Sequence, residues 1–261
     1  MTALAAWPYP RWVAHRGAGK LAPENTLSAF RLGAQYGYRF FECDAKLSKD
    51  GVLFLMHDAG LERTTNGHGT GSDLTMGEIA QLDAGSWHSR AYAGEQLPTL
   101  EALARWCLAN QLDLNVEIKP TPGQELETGR ACGALMNRIW PQDRTPPLFT
   151  SFKPASLQGA KDVAPHIPRG LLVDKLADDN GTSPGDIDLQ TAIGLGCSAM
   201  VLNHALWTAE LVAKVHGAGL RCSSYTVNDA WAAQRLIALG TDGIITDRVD
   251  LFSPAQTGPE L

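Results

Sequence analysis

Short apolar, often β-branched runs alternate with stretches of helical periodicity along almost the whole chain. Strand-like runs fall at 12–16, 39–45, 113–118, 147–151, 169–173, 198–203, 221–226 and 242–246. Between them, helical patterns lie at 25–36, 99–110, 124–139, 154–163, 186–195, 208–217 and 229–239. In TLEALARWCLANQ, Leu100, Leu103, Ala104 and Cys107 share one helical face; Leu211, Val212 and Val215 do the same further on, and GAG at 217–219 supplies a stop. Strands and helices in one unbroken alternation imply parallel pairing through right-handed crossovers. The expectation is an α/β fold, a (β/α)8 TIM barrel with a small inserted segment after the second strand. A doubly wound open sheet is the alternative, but no glycine-rich fingerprint follows the first strand. GHGTG at 67–71 follows no strand–helix switch and reads as a loop.

One region breaks the rhythm. FFECDAKL is followed by SKDG and then VLFLMHD, and Asp50–Gly51 between two apolar runs signals a hairpin. With Asp50 and Gly51 as a two-residue turn, His57 falls opposite Asp44; one register step would turn it to the other face. Residues 59–98 are polar and turn-rich, and Trp87 and Tyr92 suggest a folded cap. The domain reading is a single barrel over 1–261 with this cap at about 59–98.

At 261 residues, with 44% hydrophobic and 19% charged positions, the chain has the composition of a soluble globular protein able to bury a full core. A net charge of -6 excludes a nucleic-acid-binding surface, which needs an excess of Lys and Arg. It does not exclude a small phosphorylated substrate gripped by a metal and a few basic residues. The five cysteines show no zinc-like spacing and read as reduced, buried thiols of a cytoplasmic protein. The first residues lack the pattern of a secretory signal, and no apolar stretch is long enough for stable membrane insertion. A homo-oligomer is compatible with all of this.

The chemistry gathers at strand ends. His15 and Arg16 close the first strand, Glu42 and Asp44 the second, Glu117 and Lys119 the third, and barrel active sites lie at the carboxyl ends of strands. Side chains two apart share a face, so Glu42 and Asp44 point together while Cys43 faces the helix layer, away from any nucleophilic role. Three converging acids repel unless protons or a cation settle them. Oxygen ligands suit magnesium, calcium or manganese; a salt-bridge network with Arg16 and Lys119 is the structural alternative. His57, returned to the rim by the hairpin, would join His15 as an acid–base pair. His68, His88, His166 and His216 read as surface or packed residues. Phe152 and Asn203, at the ends of other strands, read as substrate-binding neighbours in the pocket, and Trp207 and Tyr225 are either mouth residues that contact the substrate or core residues.

HRG at 15–17 with PENT at 23–26, ECD at 42–44, HD at 57–58 and EIK at 117–119 resemble the glycerophosphodiester phosphodiesterases, as do LERTTNGHGTGSDLT, TSF at 150–152, YTVN at 225–228 and DGIITD at 242–247. The likeness runs nearly the whole chain and is closest to the cytosolic bacterial type. It implies hydrolysis of glycerophosphodiesters to glycerol 3-phosphate and an alcohol. It also implies one divalent cation, magnesium or calcium, on Glu42, Asp44 and Glu117. His15 and His57 would be the acid–base pair, with Arg16 and Lys119 on the phosphate oxygens. Tyr225 is a departure, since many members carry tryptophan before TVN. The sequence leaves open which histidine is the acid, and whether water or a glycerol hydroxyl attacks first. Two rivals stand beside this reading. A lysophospholipid or sphingolipid phosphodiesterase of the same fold would want an apolar entry loop, and a non-catalytic barrel would not need both histidines.

Overall fold

A computed structural model describes residues 4–176 and 185–255; the rest of the expected 1–261 range lies outside the described residues. Eight parallel strands close on themselves: β1 (Trp12–Ala14), β2 (Phe40–Leu47), β4 (Asp113–Ile118), β5 (Leu148–Ser151), β6 (Arg169–Val173), β7 (Ala199–Asn203), β8 (Arg221–Tyr225) and β9 (Gly243–Thr246). Closure comes from β1, where Ala14 pairs with Phe41 on one side and Thr246 on the other. The short β3 (Leu53–Leu55) lies outside the ring, antiparallel to the end of β2. Each link between consecutive ring strands contains a helix: α1 (Leu27–Gln35), α3 (Leu100–Ala109), α4 (Glu125–Ile139), α5 (Pro154–Val163), α6 (Asp186–Gly194), α7 (Ala209–Gly217) and α8 (Ala230–Leu239). This is the expected TIM barrel. Among the described residues only turns follow β9.

Local chemistry sets where these helices begin. Thr26, Thr99, Thr208 and Asp229 each accept a hydrogen bond from the backbone N–H three residues on, and Pro154 opens α5. Caps of this kind contribute about 1 kcal/mol each. Because every such start follows the carboxyl end of a strand, the caps also fix the loops around the barrel mouth.

Alternate residues on the ring strands face outward and inward. Outward, Phe41, Cys43 and Ala45 share one apolar layer with Phe30 of α1 and Leu103 and Cys107 of α3. Burial, with Glu42 and Asp44 close by, pushes the Cys43 thiol up, so it is an inert core residue. Inward, Val13, Phe40, Leu148, Val201 and Ile245 form an apolar plug on which Tyr9 sits, its ring stacked 4.9 Å from that of Phe40. One step nearer the mouth the interior turns polar, with Glu42, Asn115 and Thr150 all buried. The plug is the floor of the site.

The hairpin departs from expectation by one residue. Ala45 pairs with Leu55 and Leu47 with Leu53, so the turn has three residues, 49–51, with Gly51 at φ 78 where a side chain would be strained. Met56, not His57, lies opposite Asp44 and donates its N–H to the Asp44 carbonyl at 3.0 Å. Ladder parity would then send His57 outward with Cys43. The strand instead stops at Leu55, the chain bends, and His57 turns back to the mouth.

Residues 59–98 form a compact cap containing α2 (Met76–Ile79), entered through a reciprocal Thr75–Glu78 cap. Its core is Leu61, Ile79, Ala84 and Leu97, packed on Phe54 and Met56 of the hairpin. Trp87, expected to anchor the cap, is 41% exposed. The aliphatic residues do that work, packed against Phe54 and Met56.

Candidate active site

β1 ends at Ala14, so His15 and Arg16 lie in the loop over the mouth rather than in the strand itself. Arg16 takes the left-handed conformation, φ 52, which costs a non-glycine residue roughly 1–2 kcal/mol. That turn aims its backbone N–H at Glu42 Oε2, 3.1 Å away, and brings its Nε within 3.2 Å of Asp44 Oδ2. At Gly19, φ 57, an added Cβ would sit 2.2 Å from the Asp247 backbone. The close approach that glycine permits seats Asp247 against the loop carrying His15.

Glu42, Asp44 and Glu117 converge, each offering an oxygen within 4.8 Å of the others. Register explains this: Glu42 and Asp44 share the inner face of β2, and Asp44 pairs with Glu117 of β4. Lys119 Nζ donates to Glu117 Oε1 at 2.9 Å and lies 3.5 Å from Asp44 Oδ1. Asn25, also left-handed at φ 59, donates to Asp44 Oδ2 at 2.8 Å and accepts the Asp44 N–H at 3.1 Å. Burial, together with the charge of Asp44, raises both Glu42 and Glu117. Burial acts on Asp44 in the same direction, but Arg16, Lys119, His57 and Asn25 outweigh it and hold Asp44 well below the usual carboxylate range. Glu42 Oε1 and Asp44 Oδ1 are buried and accept no hydrogen bond. Two buried oxygens without a hydrogen bond in an all-carboxylate set fit a hard divalent cation.

Both histidines are held by their Nδ1 atoms. His15 Nδ1 lies 2.6 Å from Asp247 Oδ1, and Asp247 also accepts from Asn228 Nδ2 at 2.9 Å. His57 Nδ1 lies 2.6 Å from Asp58 Oδ1. With each Nδ1–H donating to a carboxylate, each Nε2 is left to face the cavity. Burial, reinforced by Arg16 and Lys119, lowers His57 below its ordinary value despite Asp44 beside it.

Asp247 provides a pH-dependent test. Burial raises its pKa, but the His15 and Asn228 hydrogen bonds prevail and hold it at about 2, against an ordinary 3.8. A depressed carboxylate stabilises the fold above its unfolded pKa and loses that contribution as pH falls through the folded value. The contribution is thus complete above about pH 4 and disappears towards pH 2, and it amounts to about 2 kcal/mol. Asp247→Asn is expected to lower the urea midpoint at pH 7 and to flatten the decline between pH 4 and pH 2. An unchanged acid slope would contradict this assignment.

The cavity these groups share holds about 170 Å³ and is also lined by Phe152 and Tyr225. The Phe152 ring lies edge-on to Tyr225 at 5.8 Å and under Lys119 Nζ at 5.8 Å, and the Tyr225 hydroxyl donates to the Val173 carbonyl at 3.0 Å. Asn203 does not line the cavity. Its side chain donates to Asp174 at 3.3 Å and caps the turn at His204–Leu206. Trp207 is core, 1% exposed, with Nε1 donating to the Ser223 carbonyl. A wider groove of about 680 Å³ beside α3 and α4 holds only Glu101, Arg105 and Arg138 as charged groups. Asp247, Asn25, Asp58 and Asn228 lie within the motifs that carry the family resemblance, but spacing alone assigns them no role. Asp247 follows β9, and the strand-end rule applied to that last strand would have found it.

Comparisons with known proteins identify the family. The model of the glycerophosphoryl diester phosphodiesterase family matches residues 15–251. A glycerophosphodiester phosphodiesterase of Caldanaerobacter subterraneus subsp. tengcongensis is 33% identical over 241 residues, covering 90% of this chain and 93% of that protein. One from Bacillus subtilis is 31% identical over 259 residues, covering 94% and 86%. Among solved structures, an Oleispira antarctica phosphodiesterase in complex with the product sn-glycerol-3-phosphate has a TM-score of 0.84 at 34% identity, covering 91% of this chain and 93% of that one. The family match runs from His15, directly after β1, to beyond β9, and takes in the other seven ring strands. This chain belongs to the glycerophosphoryl diester phosphodiesterase family and is a phosphoric diester hydrolase.

Proposed function

We propose that the protein hydrolyses glycerophosphodiesters to glycerol 3-phosphate and an alcohol, with a divalent cation and two histidines. One observation carries the reading: three buried carboxylates converge, two of them with an oxygen that accepts no hydrogen bond, and Glu42 and Glu117 line one cavity with both histidines. Glu42, Asp44 and Glu117 would hold magnesium, calcium or manganese, which would supply positive charge and Lewis acidity at the phosphoryl oxygens. Arg16 and Lys119 neutralise the charge that builds on those oxygens in the transition state. One imidazole Nε2 accepts the proton of the attacking hydroxyl, from water or from the glycerol itself. The other donates a proton to the departing alkoxide as its P–O bond breaks. Asp247 and Asp58 stabilise the imidazolium, which forms on the base ring and is present beforehand on the acid ring. Phe152 and Tyr225 contact the carbon skeleton of the substrate, and Asn203 supports the neighbouring turn.

The catalytic unit is one barrel with residues 59–98 as its cap. A cytoplasmic setting is supported by five free, buried cysteines. No described helix is long and apolar enough to cross a membrane.

A coupled glycerol 3-phosphate assay across several glycerophosphodiesters tests the proposal. Release is expected to stop on chelation and to return when magnesium, calcium or manganese is added. Release that ignores the chelator would remove the cation from the mechanism. Failure to form glycerol 3-phosphate from any diester, metal present, would overturn the substrate class. The same cation should raise the thermal midpoint of the chelated protein, since binding at a hundredfold over Kd stabilises by about 2.7 kcal/mol.

A further inference from the structure

Arg63 lies in the cap, 45% exposed, yet each of its three guanidinium nitrogens donates a hydrogen bond at the barrel rim. Its Nη1 and Nη2 donate to the two oxygens of Glu24 at 2.8 and 2.7 Å, and its Nε donates to Asp58 Oδ2. Glu24 Oε1 also accepts from Arg16 Nη1 at 2.9 Å. The other oxygen of Asp58 holds His57 Nδ1 at 2.6 Å. One planar fork thus joins two carboxylates, one leading to the phosphate-binding Arg16 and the other to the His57 ring.

The geometry points to Arg63 as a positioning residue, through which the cap holds Asp58, and hence the His57 imidazole, in the orientation that turns Nε2 into the cavity. This rests on the role proposed above for His57. As a stabilising device a half-exposed ion pair contributes only about 0–1 kcal/mol, so the fold has little need of Arg63. Orientation is another matter. Asp58 follows the end of β3 and is itself about a third exposed, and among the described residues its side chain is held by His57 and Arg63. The Arg63 hydrogen bond is the largest of the interactions that hold Asp58 at about 2, below its ordinary 3.8. Without the fork, Asp58 is free to turn towards water and the ring loses the partner that fixes its tautomer. A lysine supplies one point charge and cannot bridge both acids in that plane.

A double-mutant cycle reads this directly. R63A is expected to lower kcat about tenfold in the wild-type enzyme, to leave the residual kcat of H57A unchanged, and to shift the thermal midpoint by no more than a few degrees. R63K should remain at least threefold below wild type. Asp58→Asn approaches the same link from the other side and should likewise be silent in the H57A background. Multiplying losses in the R63A/H57A pair, or full activity in R63K, would overturn the positioning role. Near-normal turnover of H57A alone would instead remove the reading of His57 on which the inference stands, so the two failures are separable.

Discussion

Asp44→Ala is expected to abolish glycerophosphodiester turnover and to destabilise the fold by about 3–5 kcal/mol, the cost of breaking a buried charge pair from one side. Asp44 is fully buried, with Arg16 Nε 3.2 Å and Lys119 Nζ 3.5 Å away and Asn25 Nδ2 donating at 2.8 Å. Removing it relieves repulsion with Glu42 and Glu117, which acts in the opposite direction. The sign follows from the carboxyl itself: it stays well below its ordinary range although burial pushes it up. Attraction to the two cations and the amide therefore exceeds burial and repulsion together. Chemical denaturation at neutral pH, paired with a metal titration of the thermal midpoint, checks both halves. An alanine variant as stable as wild type and still stabilised by the cation would contradict the proposed role.

Replacing His15 or His57 with alanine should lower kcat by about 10²–10⁴, the usual contribution of acid–base catalysis. The fold should survive either change, because the two side chains are 14% and 30% exposed and Asp247 keeps its hydrogen bond from Asn228. KM should change far less than kcat, since neither ring is asked to bind the ground state. The leaving alcohol separates the roles. A nitrophenyl ester leaves without protonation, so it should restore most of the rate to the variant lacking the general acid and little to the variant lacking the base. The double variant should be no slower than the product of the two losses, and slower than neither by much if the rings act in one step. Normal turnover in either single variant would overturn the scheme.

Much of this site was legible because parity along a strand is a local property. Glu42 and Asp44 had to share a face, and Cys43 had to face the helices, whichever neighbours the strand acquired. His57 was the opposite case. Its side of the hairpin depended on whether the turn held two residues or three, and the three-residue turn placed Met56 opposite Asp44. His57 reaches the mouth because β3 ends before it, which no alternation of apolar residues foretells. The early end of β1 had the same origin: Arg16 and Gly19 adopt left-handed conformations to pass close to Asp247.

By itself the sequence determined the alternation of strands and helices, the closed parallel barrel and the acids and histidines at its mouth, because periodicity and strand parity arise from burial and sterics among near neighbours. Only the tertiary structure decided which groups hold those residues. His15 meets Asp247 from 232 positions away because β1 and β9 close the ring, and Arg63 meets Glu24 across 39 because the cap folds back on the rim. Such partners are chosen by where the chain returns in space, and their short polar side chains leave no periodic trace along it.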